Sequence, residues 1–229
     1  MKFSEFKLNE TILDALFYMN FEEATEIQIK AIPTILEGKD LIGCAQTGTG
    51  KTAAFVLPTL NQIADAPSDG VQVLILCPTR ELAQQVAQDA IELVKHTRGL
   101  RVANVVGGIP YQLQIAKLQN ANLVVATPGR LLDLQRSMQI KLDQVQFLVV
   151  DEADRMLDLG FADDLTEVNQ LTLQRRQTMM FSATFAPRIM QLATRVMREP
   201  QRVEIDSPQD KHTSITQSLL WADNMTHKR

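Results

Sequence analysis

The segment Ala45-Gln46-Thr47-Gly48-Thr49-Gly50-Lys51-Thr52 follows a short apolar run and leads into a helical pattern. At a strand-to-helix junction these residue types suit phosphate. The glycines let backbone N–H groups curl around anionic oxygens, and the helix N-terminus favours the negative charge. Lys51 can reach the β- and γ-phosphates of a nucleotide, and the Thr52 hydroxyl can ligate Mg²⁺. The general pattern opens on Gly where this chain has Ala45, a small residue that still fits. A Gly/Thr-rich turn with no ligand is the alternative, and Gly-Lys-Thr in this context weighs against it.

A second constellation is Phe147-Leu148-Val149-Val150-Asp151-Glu152-Ala153-Asp154. Two acids directly after an apolar strand put the first carboxylate where Asp151 can hold Mg²⁺, and place Glu152 to orient or deprotonate an attacking water. Acids in isolation read as a helix N-terminal charge cluster. Upstream, Gln28 lies in Phe21-Glu22-Glu23-Ala24-Thr25-Glu26-Ile27-Gln28, and a Gln amide can pair with N6–H and N7 of adenine. Taken alone, Gln28 reads as a surface helix residue; its company favours adenine. Ser182-Ala183-Thr184 offers hydroxyls to Asp154, which would link nucleotide state to the rest of the domain. As a bare triplet ahead of Pro187, it reads as a helix cap.

Positioning these groups requires a sheet. Apolar, β-branched runs at Leu41–Cys44, Val73–Cys77, Val102–Val106, Leu123–Ala126, Phe147–Val150, Thr178–Phe181 and Arg202–Ile205 alternate with helical spacings such as Leu82, Val86, Ala90, Leu93 and Ile189, Leu192, Val196. That alternation predicts an α/β fold, a mostly parallel sheet with helices on both faces. Ligands of such sheets sit at the carboxyl ends of the strands, where every polar motif above falls. Asn9 and Thr25 are the expected caps of two helices before the first strand.

The composition sets bounds. The chain has 229 residues, 45% apolar and 22% charged, enough for one sizeable core. No run approaches a membrane span, Met1 to Phe6 does not resemble a signal peptide, and Cys44 and Cys77 are expected as reduced thiols, so a cytoplasmic location is expected. A net charge of −4 opposes broad electrostatic binding to nucleic acid, so any such contact must be local and geometric.

Together these residues resemble the DEAD-box RNA helicases, in a bacterial form. Asp151-Glu152-Ala153-Asp154 spells the family name. The remaining motifs follow in family order: Gln28 in a Q-motif, Ala45–Thr52, Pro78-Thr79-Arg80-Glu81-Leu82-Ala83, Gly107-Gly108, Thr127-Pro128-Gly129-Arg130 and Ser182-Ala183-Thr184. The resemblance runs from about Phe3 to Ile205 and implies a RecA-like P-loop NTPase domain that uses ATP and Mg²⁺. It implies that Gln28 reads adenine, that Phe3 stacks on the base, and that Phe21, Glu23 and Thr25 support them. Ala45, Gln46, Thr47, Gly48, Thr49, Gly50, Lys51 and Thr52 would hold phosphates. Lys51, Asp151 and Glu152 would carry the chemistry, with Thr52 and Asp151 on the metal. Pro78, Thr79, Arg80, Gly107, Gly108, Thr127, Pro128, Gly129 and Arg130 would line an RNA track, and Asp154, Ser182, Ala183 and Thr184 would couple the sites. The Q-motif departs from the family pattern, with Asn20-Phe21 and Ala24-Thr25 where Gly-Phe and Pro-Thr are usual. Without the family, Gly107-Gly108 reads as a turn and Thr127-Pro128-Gly129 as a helix entry.

The expected organisation is a Q-motif region with N-terminal helices over residues 1–35, an ATP-binding core over 36–206, and a linker into a second RecA-like domain over 207–229. The strand-like run Ile215 to Trp221 belongs to that last part. No His-Arg-Ile-Gly-Arg-like run is present, so the chain reads as an excised first domain. It is expected to be monomeric, to bind nucleotide and RNA backbone, and to turn over slowly without the second domain's arginine fingers. Competing classes are a self-contained nucleotide kinase or GTPase, which would need an acceptor lid or an Asn-Lys-x-Asp run, and a module using nucleotide structurally. A DNA-remodelling relative is set apart by the Q-motif and by Asp154.

Overall fold

The computed structural model describes residues 1–46, 48–97 and 99–205. Thr47 and the expected linker over 207–229 lie outside them. Seven strands form one sheet: β1 (Leu41–Cys44), β2 (Val73–Leu76), β3 (Val102–Val105), β4 (Leu123–Ala126), β5 (Phe147–Val150), β6 (Gln177–Ser182) and β7 (Gln201–Glu204), in the order β3-β4-β2-β5-β6-β1-β7. Every pairing is parallel. All seven apolar runs are therefore strands, with no end shifted by more than one residue. The apolar character of the inner strands reflects burial on both faces: along β2, Val73 and Ile75 join one core while Leu74 and Leu76 join the other, whereas edge strand β7 buries only Val203.

One face carries α1 (Glu10–Tyr18), α2 (Glu26–Leu36), α3 (Lys51–Ala64) and α4 (Arg80–Val94). The other carries α6 (Pro128–Arg136), α7 (Ala153–Asp158), α8 (Ala162–Leu171) and α9 (Pro187–Val196), while α5 (Tyr111–Leu118) follows edge strand β3. Both expected N-terminal helices are present. The Asn9 side chain accepts from Ile12 N at 3.1 Å and so caps α1. At α2, Gln28 in the third helical position accepts from Thr25 N at 2.9 Å, one half of a capping box.

Strand order decides the site. β6 lies between β1 and β5, so the loop leaving β1 and the acids leaving β5 stand two strands apart, about 10 Å. The end of β6 sits between them, with Ser182 in register with Cys44.

Candidate functional site

Lys51 opens α3 and reaches across that gap. Its Nζ lies 2.9 Å from Asp151 Oδ1, with both side chains almost wholly buried. Glu152 N donates to the same Oδ1 at 3.0 Å, while Oδ2 of Asp151 is buried without a hydrogen-bond partner among the described residues. Glu152 itself is left-handed, at φ 50° and ψ 53°, a conformation that costs a non-glycine residue about 1–2 kcal/mol. Its Oε2 has no hydrogen-bond partner among the described residues, and Arg155 Nη1 stands 3.6 Å away. Strain and unsatisfied oxygens at one spot mark a site kept for chemistry. Nearby, burial and then the charge of Asp151 push the Cys77 thiol well above its ordinary pKa. Cys77 and Cys44 are both free thiols.

The loop before α3 is held from behind by Gln28. Gly50 has φ 82°, and a Cβ there would meet Gln28 Nε2 at 2.6 Å and Thr25 Oγ1 at 2.9 Å. Gln28 Nε2 donates to Gly50 O at 3.0 Å while Oε1 accepts from Thr25 N. Gln28 is thus buried and bridges helix cap to phosphate loop, so the surface-helix alternative does not hold. Each end of the amide retains capacity: one N–H and one lone pair.

The cleft in front measures about 330 Å³ and is lined by Phe21, Gln28, Gly48, Gly50, Lys51 and Thr52, and on its far wall by α4 residues including Asp89. Asp89 is exposed, and partial desolvation at the cleft wall raises its carboxyl above the ordinary pKa. Phe3 does not line this cleft. It is buried against Phe6 and stacks behind Phe21 at a ring separation of 6.5 Å, and Phe21 presents the exposed ring. Phe3 is held there because Lys2 bridges Glu23 and Phe3 N donates to Glu22 O at 3.1 Å. A second hollow, of about 410 Å³, opens on the other side of Lys51 between Ala45, Gln46, Glu152, Asp154 and Ala183. Thr49 Oγ1 donates to Gln46 O at 2.7 Å and tightens the loop's turn.

The link between Asp154 and the Ser182-Ala183-Thr184 segment is not made in this structure. Among the described residues Ser182 Oγ is buried without a partner, Thr184 Oγ1 accepts from Ala186 N at 3.4 Å, and Ala183 O accepts from Cys44 Sγ at 3.0 Å. Nor does the triplet cap α9, whose N-cap is Ala186.

The expected RNA-track residues come together along the carboxyl ends of β2, β3 and β4. Pro78 is buried, Thr79 caps α4 by accepting from Leu82 N at 3.3 Å, and Pro128 starts α6 after Thr127. Gly129 is exposed in the first turn. Gly108 has φ 82°, and a Cβ there would strike Arg80 Nη1, which donates to Gly107 O at 3.4 Å. Arg130 is largely spent on the protein: Nη1 donates to Ile109 O at 2.9 Å and Gln114 Oε1 at 3.0 Å, and its guanidinium lies 4.5 Å from the Tyr111 ring centre. Gln114, itself buried and donating to Val106 O, locks the same loop. Sequence reading missed Gln114 and Tyr111. The only local signal was a polar residue on the inner face of a short helix.

Comparison with known proteins places these features in a family. The family model for the DEAD/DEAH box helicase matches residues 25–192. The ATP-dependent RNA helicase CshA of Listeria monocytogenes is 49% identical over 89% of this chain and 39% of its own length. The ATP-dependent RNA helicase SrmB of Escherichia coli is 42% identical over 99% of this chain and 52% of its own. The chain thus spans about half the length, or less, of these curated relatives. The crystal structure of a DEAD box protein from Methanococcus jannaschii superposes with a TM-score of 0.83 at 37% identity, covering 89% of this chain and 56% of that one.

Proposed function

The chain belongs to the DEAD/DEAH box helicase family, and from that premise we propose that it is the ATP-binding domain of an ATP-dependent RNA helicase. In this reading it grips RNA by the backbone and, with a second RecA-like domain, couples ATP hydrolysis to local opening of a duplex. Residues 1–206 act as one unit, and 207–229 lead into the second domain. The carrying observation is the buried Lys51–Asp151 pair beside the unpartnered Asp151 Oδ2 and the strained Glu152.

An orphaned buried carboxylate oxygen in a cleft that Thr52 also lines suits a hard divalent cation, which takes one or two protein carboxylates and completes its shell with phosphates. Thr52 and Asp151 would hold Mg²⁺, whose chemistry is to neutralise charge between the phosphates. Lys51 turns from Asp151 to the β- and γ-phosphates, and N–H groups of the loop bind the remaining oxygens. Glu152 holds the attacking water and takes its proton. Gln28 uses its remaining N–H toward adenine N7 and its remaining lone pair toward N6–H; guanine offers an acceptor where adenine offers that donor. Phe21, backed by Phe3, supplies the aromatic wall. Gly107 and Gly108, with the start of α6, present backbone groups to RNA phosphates, which suits an acidic chain.

The test is ATP hydrolysis with and without single-stranded RNA, for residues 1–229 and for the chain extended through a second domain. RNA-stimulated turnover in the extended protein alone is expected, with an arginine finger contributing roughly 10³-fold or more. Fast turnover by residues 1–229 that ignores RNA would overturn the reading.

A further inference from the structure

The amino ends of the strands, across the sheet from the phosphate loop, carry a small hollow of about 140 Å³. Its floor is locked by two charged groups, Arg175 and Asp40, each hydrogen-bonded at every polar side-chain atom. Arg175 donates from Nε to Thr178 Oγ1 at 2.7 Å and from Nη2 to Asn169 Oδ1 and Val196 O, both at 2.6 Å. Its Nη1 donates to Thr172 O at 3.1 Å, so one guanidinium ties the carboxyl ends of α8 and α9 to β6. Burial pulls its pKa below the ordinary arginine value. Asp40 accepts from Thr178 N at 2.9 Å and from Arg198 N at 2.7 Å, fixing the entries to β1 and β6.

Three further arginines line this fixed floor. Arg176, Arg195 and Arg198 are exposed, and none joins an ion pair among the described residues. Asp40 is the only carboxylate lining the hollow among the described residues. Two helix carboxyl ends contribute about half a negative charge each. Against four guanidinium groups, these and Asp40 leave a surplus of about two positive charges. Neutralising helix ends accounts for Arg175 and does not account for the other three. In a chain of net charge −4 such a concentration is against composition. Guanidinium forks over a preformed polar floor match phosphate oxygens.

We infer that this hollow is a second phosphate site, which holds the backbone of RNA extending beyond the track at the carboxyl ends. The inference rests on the RNA-binding reading above. A strand leaving that track descends the height of the sheet, about 20 Å for six residues of β6, to reach it. Short RNA confined to the track does not touch it.

The experiment compares binding of a short single strand, a long single strand and a polyglutamate peptide as functions of salt, using the full-length helicase and its Arg176→Gln/Arg195→Gln/Arg198→Gln variant. The three side chains make no hydrogen bonds among the described residues, so the variant should fold, and a matching thermal midpoint checks it. Single Arg→Gln variants give the same reading in smaller steps. Expected is an unchanged short-strand affinity and a long-strand salt slope lower by about 2, from about 0.7 per lost single-strand phosphate contact. An unchanged long-strand slope overturns the inference, as does loss of polyglutamate binding with RNA binding intact. Failure of the wild type to bind even the short strand overturns the RNA reading along with it, and is told apart by that first measurement.

Discussion

Replacing Lys51 by Met isolates the centre of the site. In the wild type the ammonium and the Asp151 carboxylate are both buried at 2.9 Å, and among the described residues Asp151 has only one other donor, Glu152 N. Removing the cation leaves a buried carboxylate with Oδ2 still unpartnered. Breaking a buried pair from one side costs about 3–5 kcal/mol, whereas replacing both members by apolar residues is close to neutral. For a chain of 229 residues, each kcal/mol lowers the midpoint by about 2–4 °C. Lys51→Met should therefore lower it by roughly 6–20 °C, and adding Asp151→Leu should restore most of the loss. Thermal unfolding by circular dichroism, repeated with Mg-ATP, reads both effects. At a hundred times its dissociation constant, nucleotide stabilises the wild type by about 2.7 kcal/mol, and Lys51→Met should lose that shift. A single variant within about 2 °C of wild type that kept the full nucleotide shift would refute both the energetic and the functional roles of Lys51.

Gln28→Ala should erode preference for ATP over GTP by roughly fivefold or more, the low end of one bidentate base contact, and stranding Gly50 O and Thr25 N should cost about 1–3 kcal/mol in urea unfolding. Glu152→Gly relieves the left-handed strain, so it should raise stability by about 1 kcal/mol while abolishing RNA-stimulated hydrolysis; a destabilised variant would remove the strain from the account. Gly108→Ala forces a Cβ onto Arg80 at a positive φ, and should weaken RNA binding in anisotropy titrations with nucleotide affinity unchanged. The Asp89 carboxyl, raised by partial desolvation at the cleft wall, favours its protonated form in the folded state, so its contribution is most favourable below the ordinary carboxylate value and declines as pH rises through the raised one. The stability advantage of Asp89→Asn should accordingly grow as pH climbs from acid toward neutral, and an advantage independent of pH would contradict it.

Local chemistry made much of this protein legible from its residues. The five inner strands were readable because a strand covered on both faces is largely apolar, and Gly50-Lys51-Thr52 and Asp151-Glu152 because a strand end followed by a helix presents its polar groups within a few residues. What tertiary structure decided lies in contacts between residues far apart in the chain. Placing β6 between β1 and β5 aims Lys51 at Asp151 and sets Ser182 between them. Gln28 became a bridge to the phosphate loop because α2 packs beside α3, and Phe3 became the backing for Phe21 because the first residues pair with Glu22 and Glu23. Arg130 turned out to hold its neighbouring loop through Gln114, and four arginines gathered at the sheet's amino ends around Asp40. Pattern and motif constrain groups a few bonds apart. Strand order and helix packing alone bring residue 40 to residue 198, and no local spacing encodes that meeting.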